Sequence, residues 1–93
     1  MIEHDGNTVR ISGALTLGTI ISLRAAATGF FDAGDVVVDL QAVTEVDSSA
    51  LSLLLEWRRE AQRHNVHVHY RNFPPNLTSL ATLYGVNEIV AGN

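Results

Sequence analysis

Asp47-Ser48-Ser49 sets one carboxylate and two hydroxyls between a β-branched run and the longest amphipathic stretch of the chain. Two kinds of chemistry are open to such a group. Asp and Ser are favoured helix N-caps, each stabilising by ~1 kcal/mol when the side chain accepts a free backbone N–H. Hydroxyls at the positive end of a helix dipole can also meet a partner or receive a phosphate, which would bring up to about two negative charges to any apolar interface. Nucleophilic catalysis asks for more, namely a base beside the serine and an acid that orients it. Ser48 has no G-x-S-x-G elbow, and no pattern places a histidine next to it. No Gly-rich phosphate loop is present either, so neither a catalytic residue nor a cofactor is assigned.

His64, His67 and His69 form the other group with chemical potential. His67 and His69 alternate with Val66, Val68 and Tyr70 on a strand, and His64 ends the preceding helix. A metal would want a Cys or a well-placed carboxylate with them, and the pattern offers neither, so they read as polar residues of an open sheet face, with His64 sitting near a helix C-terminus.

The helix from Ser48 or Ser49 to about His64 must position the Asp-Ser-Ser group. At about 100° per residue, Ala50, Leu53, Leu54, Trp57, Ala61 and His64 share one face, the expected core side. Leu51 and Leu55 fall on the flank, beside Ser48, Ser52, Arg59 and Gln62. Apolar residues bordered by Ser and Arg next to a helix start suit a docking stripe, although a neighbouring helix or loop could equally cover both leucines.

The other elements follow from periodicity and punctuation. Met1 to His4 pairs with Thr8 to Ser12 across Asp5-Gly6-Asn7, and Gly13 ends that hairpin. Thr16 is placed to cap a helix from about Leu17 to Thr28, to which Ile20, Leu23, Ala27 and Phe30, at helical spacing, give a core face. Asp35 to Leu40 is the strongest strand, dense enough in valine to be central and parallel to a neighbour. Gln41 to Val46 reads as a connection, Val66 to Tyr70 as a further strand, and Ile89-Val90 as a short final element. Pro74-Pro75 opens a last helix with the stripe Leu77, Leu80, Ala81 and Tyr84, and Gly85 closes it. Val9, Ile11, Val36, Val38, Leu40, Val66 and Val68 make one sheet face apolar. Arg10, Ser12, Asp39, His67 and His69 make the other polar. The fold class is therefore α/β, a mixed sheet of four to five strands with helices packed mainly on one face.

With 93 residues the chain is expected to be a single domain, residues 1–93, and its 46% hydrophobic content is too high for disorder. The net charge of −4 with six basic residues, all arginine, argues against a nucleic-acid partner. No cysteine is present, Met1 to Asp5 lacks the pattern of a signal peptide, and no apolar run reaches the ~20 residues that span a bilayer. A cytoplasmic protein without direct membrane insertion is expected.

Val36-Val37-Val38-Asp39-Leu40, then Val46-Asp47-Ser48-Ser49-Ala50-Leu51, then Leu53-Leu54-Leu55, resembles the signature of STAS domains, as does Ile11-Ser12-Gly13-Ala14-Leu15 earlier in the chain. The family includes anti-sigma factor antagonists, sulfate-transporter tails and the small cytoplasmic subunit of Mla phospholipid transporters. Leu80-Ala81-Thr82-Leu83-Tyr84 is similar to a segment of the Mla-type subunits. The antagonists' Gly-Leu-Gly is here Ala50-Leu51-Ser52, whose added groups are expected to crowd a kinase. The resemblance implies a non-catalytic subunit, at the inner face of the inner membrane, that binds and stabilises or regulates the ATPase subunit of an ABC transporter for intermembrane phospholipid transport. Ser48, Leu51, Ser52, Leu55 and Arg59 would then meet the partner, with Asp47 and Ser49 supporting the helix start. The alternative it implies is an anti-sigma factor antagonist, bound to a serine kinase and switched by phosphorylation of Ser48. A STAS module that pairs with its own copy or takes a small ligand is a third option.

Overall fold

In a computed structural model that describes residues 2–27, 29–32 and 34–86, the strand signals assemble into a four-stranded sheet in the order β1-β2-β3-β4. β1 (Ile2–Asp5) and β2 (Thr8–Leu15) form the antiparallel hairpin. β3 (Val36–Val46) lies parallel to both β2 and β4 (Val68–Arg71). α1 (Leu17–Ala26), α2 (Ser48–Arg63) and α3 (Pro75–Leu83) supply the helical layer, as the one-sided apolar pattern requires.

The core follows the alternation of the strands. Val9, Ile11, Leu15, Val36, Val38, Leu40, Val68 and Tyr70 are buried together with Ile20 and Leu23 of α1, and with Ala27, Phe30 and Phe31 after it. α3 adds Leu77 and Ala81. On the opposite sheet face Glu3, Arg10, Asp39 and Arg71 stand in register across all four strands, a row of alternating charge. Asp39 is buried within that row rather than wet. It accepts bonds from Asn72 Nδ2 at 2.9 Å, the Gln41 amide at 3.0 Å and Arg71 at 3.3 Å. These donors, the Asn72 bond foremost, hold its carboxyl below the usual carboxylate range against an opposing desolvation.

Two strands run further than the sequence pattern suggested. Gly13 does not end β2. It sits at φ +84° between two register shifts, and β2 continues to Leu15. Gln41 to Val46 is correspondingly strand and not connection, since Ser12 to Leu15 pair with Ala42 to Val46. β4 starts at Val68, two residues late, because Val66 completes the end of α2: its amide reaches Ala61 O at 2.9 Å around Asn65 at φ +59°. α1 ends at Ala26, and its expected last residue, Thr28, lies outside the described residues. So does the expected element at Ile89-Val90.

Candidate docking edge at the start of the second helix

The paired ends of β2 and β3 bring two helix starts together. Leu15 and Val46 are in register, and the chain enters α1 after the first and α2 after the second. Asp47 serves both. One carboxylate oxygen accepts the Ser49 amide at 2.8 Å and the other accepts the Leu17 amide at 3.0 Å, thirty residues away in sequence. The Leu17 bond is the largest influence holding the Asp47 carboxyl below its ordinary range, with the Ser49 amide and hydroxyl adding to it against partial desolvation. Thr16 is the N-cap residue of α1 as expected, and its own amide is satisfied by Thr19 Oγ1 at 3.1 Å. A single carboxylate thus answers the free amides and the positive dipole ends of two helices.

The serines divide by direction. Ser49 is half-buried and turned toward Asp47, whereas Ser48 and Ser52, one turn apart, are exposed. Neither outward hydroxyl has a hydrogen-bond partner among the described residues. Ser48, Ser49, Leu51, Ser52, Leu55, Tyr84 and Val86 line an open groove of ≈ 350 Å³. Its far wall is the end of α3, where Gly85 at φ +71° lets the Val86 amide return to Ala81 O at 2.9 Å. That turn is what sets Val86 and Tyr84 against α2.

Three expectations about side-chain direction are corrected. Leu51 is not on an open flank: it is 4% exposed and belongs to the core. α2 packs against α1 on one side and α3 on the other, so its buried arc spans about 160° from Leu53 to Leu51 and not a single narrow stripe. Leu51 therefore forms the floor of the groove, while Leu55 stays half-buried at its rim. His64 is the reverse case, placed on the core face by the wheel but exposed as the C-cap residue. It lies near Asp32 at 3.5 Å and Glu60 at 3.9 Å. Finally, Ala50 is fully buried, so its methyl group cannot crowd a partner, and only Ser52 of that pair faces outward.

Arg59 is exposed beyond Leu55, and with Arg58, Leu55 and Gln62 it lines a depression of ≈ 250 Å³. His67 and His69 have ring centroids 6.1 Å apart, and no group of three metal-ligating side chains occurs among the described residues. No helix there is long and apolar enough to cross a membrane.

Tyr84 and Val86 were missed as groove residues. Tyr84 fits the apolar stripe of α3 yet is 59% exposed, at the C-cap just past the last helical residue, Leu83. Leu17 and Ile21, 70% and 75% exposed, form a second unexpected apolar pair beginning at the residue that bonds Asp47. Their i, i+4 spacing, off the Ile20 and Leu23 face, was the available signal.

A family model described as "Mlab, STAS domain" matches residues 1–91. No curated protein matches the sequence. The structure of the anti-sigma factor antagonist SpoIIAA in its unphosphorylated form is similar with a TM-score of 0.75 and 17% identity, over 94% of this chain and 81% of that one. A structure of Mglu aligns with a TM-score of 0.63 and 24% identity, over 81% of this chain but 19% of its own. A native form of Mglu aligns at 0.53 and 22% identity, over 75% and 22%. At these identities the solved structures speak for the fold, and this chain spans only about a fifth of Mglu.

Proposed function

Since the chain belongs to the STAS domain family, we propose that it is a non-catalytic binding subunit that stabilises or regulates the ATPase subunit of an inner-membrane ABC transporter moving phospholipid between membranes. In that role it contributes to outer-membrane lipid asymmetry. The observation that carries this reading is the match of residues 1–91 to the family model described as "Mlab, STAS domain". The geometry supports a binding role: each Asp47 oxygen accepts a backbone amide, while Ser48 and Ser52 beside it are exposed and the Leu55 rim is half-buried along an open groove. Ser48, Ser52, Leu55 and Arg59 meet the partner, Leu51 supports them from below, and Asp47 with Ser49 holds the helix start. The protein resides at the cytoplasmic face of the inner membrane through that partner and not by insertion of its own.

A second reading is favoured by one observation. The Ser48 hydroxyl is exposed at the first position of α2 without a hydrogen-bond partner among the described residues, as a serine kinase of an anti-sigma system would need. In that case the chain is an anti-sigma factor antagonist switched by phosphorylation at Ser48.

Co-expression with the ABC ATPase subunit of the same genome, and separately with its anti-sigma serine kinase, distinguishes the two. Co-purification of a stable complex with the ATPase, weakened by Leu55→Asp, is the expected result. Binding to the kinase alone, with phosphate incorporated in wild type and not in Ser48→Ala, overturns the transporter reading.

A further inference from the structure

The two flanks of α2 differ in how their charges are used. On the α1 side, Glu56 pairs with Arg24 at 2.6 Å and Glu60 pairs with Arg63. Elsewhere Arg10 faces Asp5 at 3.5 Å and Arg71 faces Asp39 at 3.3 Å. Four of the six arginines therefore have a carboxylate. The remaining two, Arg58 and Arg59, have no ion-pair or hydrogen-bond partner among the described residues, although the chain carries ten Asp and Glu. Both line the depression that begins at Leu55, so they continue the docking edge and do not lie at random on the surface. α2 has no carboxylate outside Glu56 and Glu60, and both of these are engaged by arginines.

Resting on the docking role proposed above, we infer that the partner's docking segment is acidic. It places an apolar side chain in the groove at Leu55, Tyr84 and Val86, and a carboxylate over Arg58 and Arg59. From residue 55 to residue 59 the rise along α2 is about 6 Å, so the partner's acid stands about one helical turn from its apolar anchor. Guanidinium forks suit a carboxylate better than an ammonium would, because they offer paired donors in a plane. An otherwise acidic protein with an open cationic patch at one edge also gains orientation during encounter.

The experiment measures the affinity of the co-expressed, purified ATPase subunit for wild type, Leu55→Asp, Arg59→Glu and Arg58→Glu/Arg59→Glu, each between about 0.05 and 0.5 M salt. Circular dichroism confirms the fold of each variant. Arg59 is exposed and its replacement by Glu creates a favourable i, i+4 spacing with Arg63, so the single variant serves if the double one is unstable. The expected result is a loss of about tenfold in affinity for the double variant, a smaller loss for Arg59→Glu, and a flatter salt dependence for both. Unchanged affinity and unchanged salt slope, with Leu55→Asp still impaired, overturns the acidic segment and leaves the docking role standing. Tighter binding by the charge-reversed variants shows a basic partner and overturns it as well. Absence of any binding by wild type removes the docking role and this inference together.

Discussion

Asp39 and Asp47 belong to the same turn of events along β3, one within the strand and one just past its end, and their surroundings are opposite. Around Asp39 the neighbours converge: Arg71, Asn72 and the Gln41 amide all donate to it, and it stands in the row Glu3, Arg10, Asp39 and Arg71, which alternates in sign across the sheet. Around Asp47 only the carboxylate is answered, by Ser49 and by Leu17. The residues of the helix it starts are left open: Ser48, Ser52 and the Leu55 rim. A bonded carboxylate whose neighbours converge on it builds structure, whereas a bonded carboxylate beside open neighbours suits the docking role proposed above. The difference lies in the surroundings, since both carboxylates are hydrogen-bonded to a similar degree.

The strongest test of that difference separates the floor of the groove from its rim. Leu51→Asp should unfold the domain, since a charge at a core position that is 4% exposed loses its hydration and several kcal/mol of packing, about 3 or more. Leu55→Asp, one turn on, should leave the thermal transition within a few degrees of wild type and abolish partner capture. Equal loss of stability in the two variants would make the rim part of the core. Next in size, Asp39→Ala and Asp47→Ala should each cost about 2 kcal/mol in urea denaturation, by removal of bonds to a charged acceptor. They should part in binding. Asp39→Ala retains partner affinity under native conditions, while Asp47→Ala loses it because the start of α2 frays. Identical affinities for the two would remove the distinction between sheet face and helix edge.

Much of this arrangement was legible in residue order, and the failures have definite causes. The alternation of Val9, Ile11, Val36 and Val38 with Arg10 and Asp39 was enough for a one-sided sheet, because strand facing depends on a period of two and little else. Gly85 was readable as the residue that closes α3, since a C′ position favours positive φ. Leu51 was misplaced because a helical wheel describes a helix with one neighbour, and α2 has one on each side. The extension of β2 past Gly13 was hidden because glycine marks strand ends and bulges alike, and only pairing with β3 decides between them. The bond from Leu17 to Asp47 and the pairing of Arg24 with Glu56 join residues thirty or more positions apart. No local pattern encodes them, so neither the double cap nor the isolation of Arg58 and Arg59 was visible before the chain was folded.

The smaller effects concern protons and a single hydroxyl. Asp39 and Asp47 both have folded-state pKa values held below those of the unfolded chain. Between the two values the unfolded state binds more protons, so stability rises with pH through that interval. Their contribution is complete above the unfolded value of about 3.9 and is lost as pH falls through the folded ones. Urea denaturation at neutral pH and below about pH 4 should therefore show a smaller acid-induced loss in Asp47→Asn than in wild type, from a lower starting stability. The same holds for Asp39→Asn, and an unaltered pH slope in either variant would mean that its carboxylate is not held as described. Smallest of all, Ser48→Ala should change stability by less than about 0.5 kcal/mol, because the cap is made by Asp47 and the Ser48 hydroxyl bonds nothing among the described residues. Its effect belongs instead to the open side of the comparison. Ser48→Glu should weaken the complex more than Ser48→Ala does, since a carboxylate there adds a second negative group beside Asp47 and meets an acidic partner segment with repulsion. If Ser48→Glu binds as tightly as wild type while Leu55→Asp does not, the partner meets the Leu55 and arginine end of α2 and leaves the serine end uncovered.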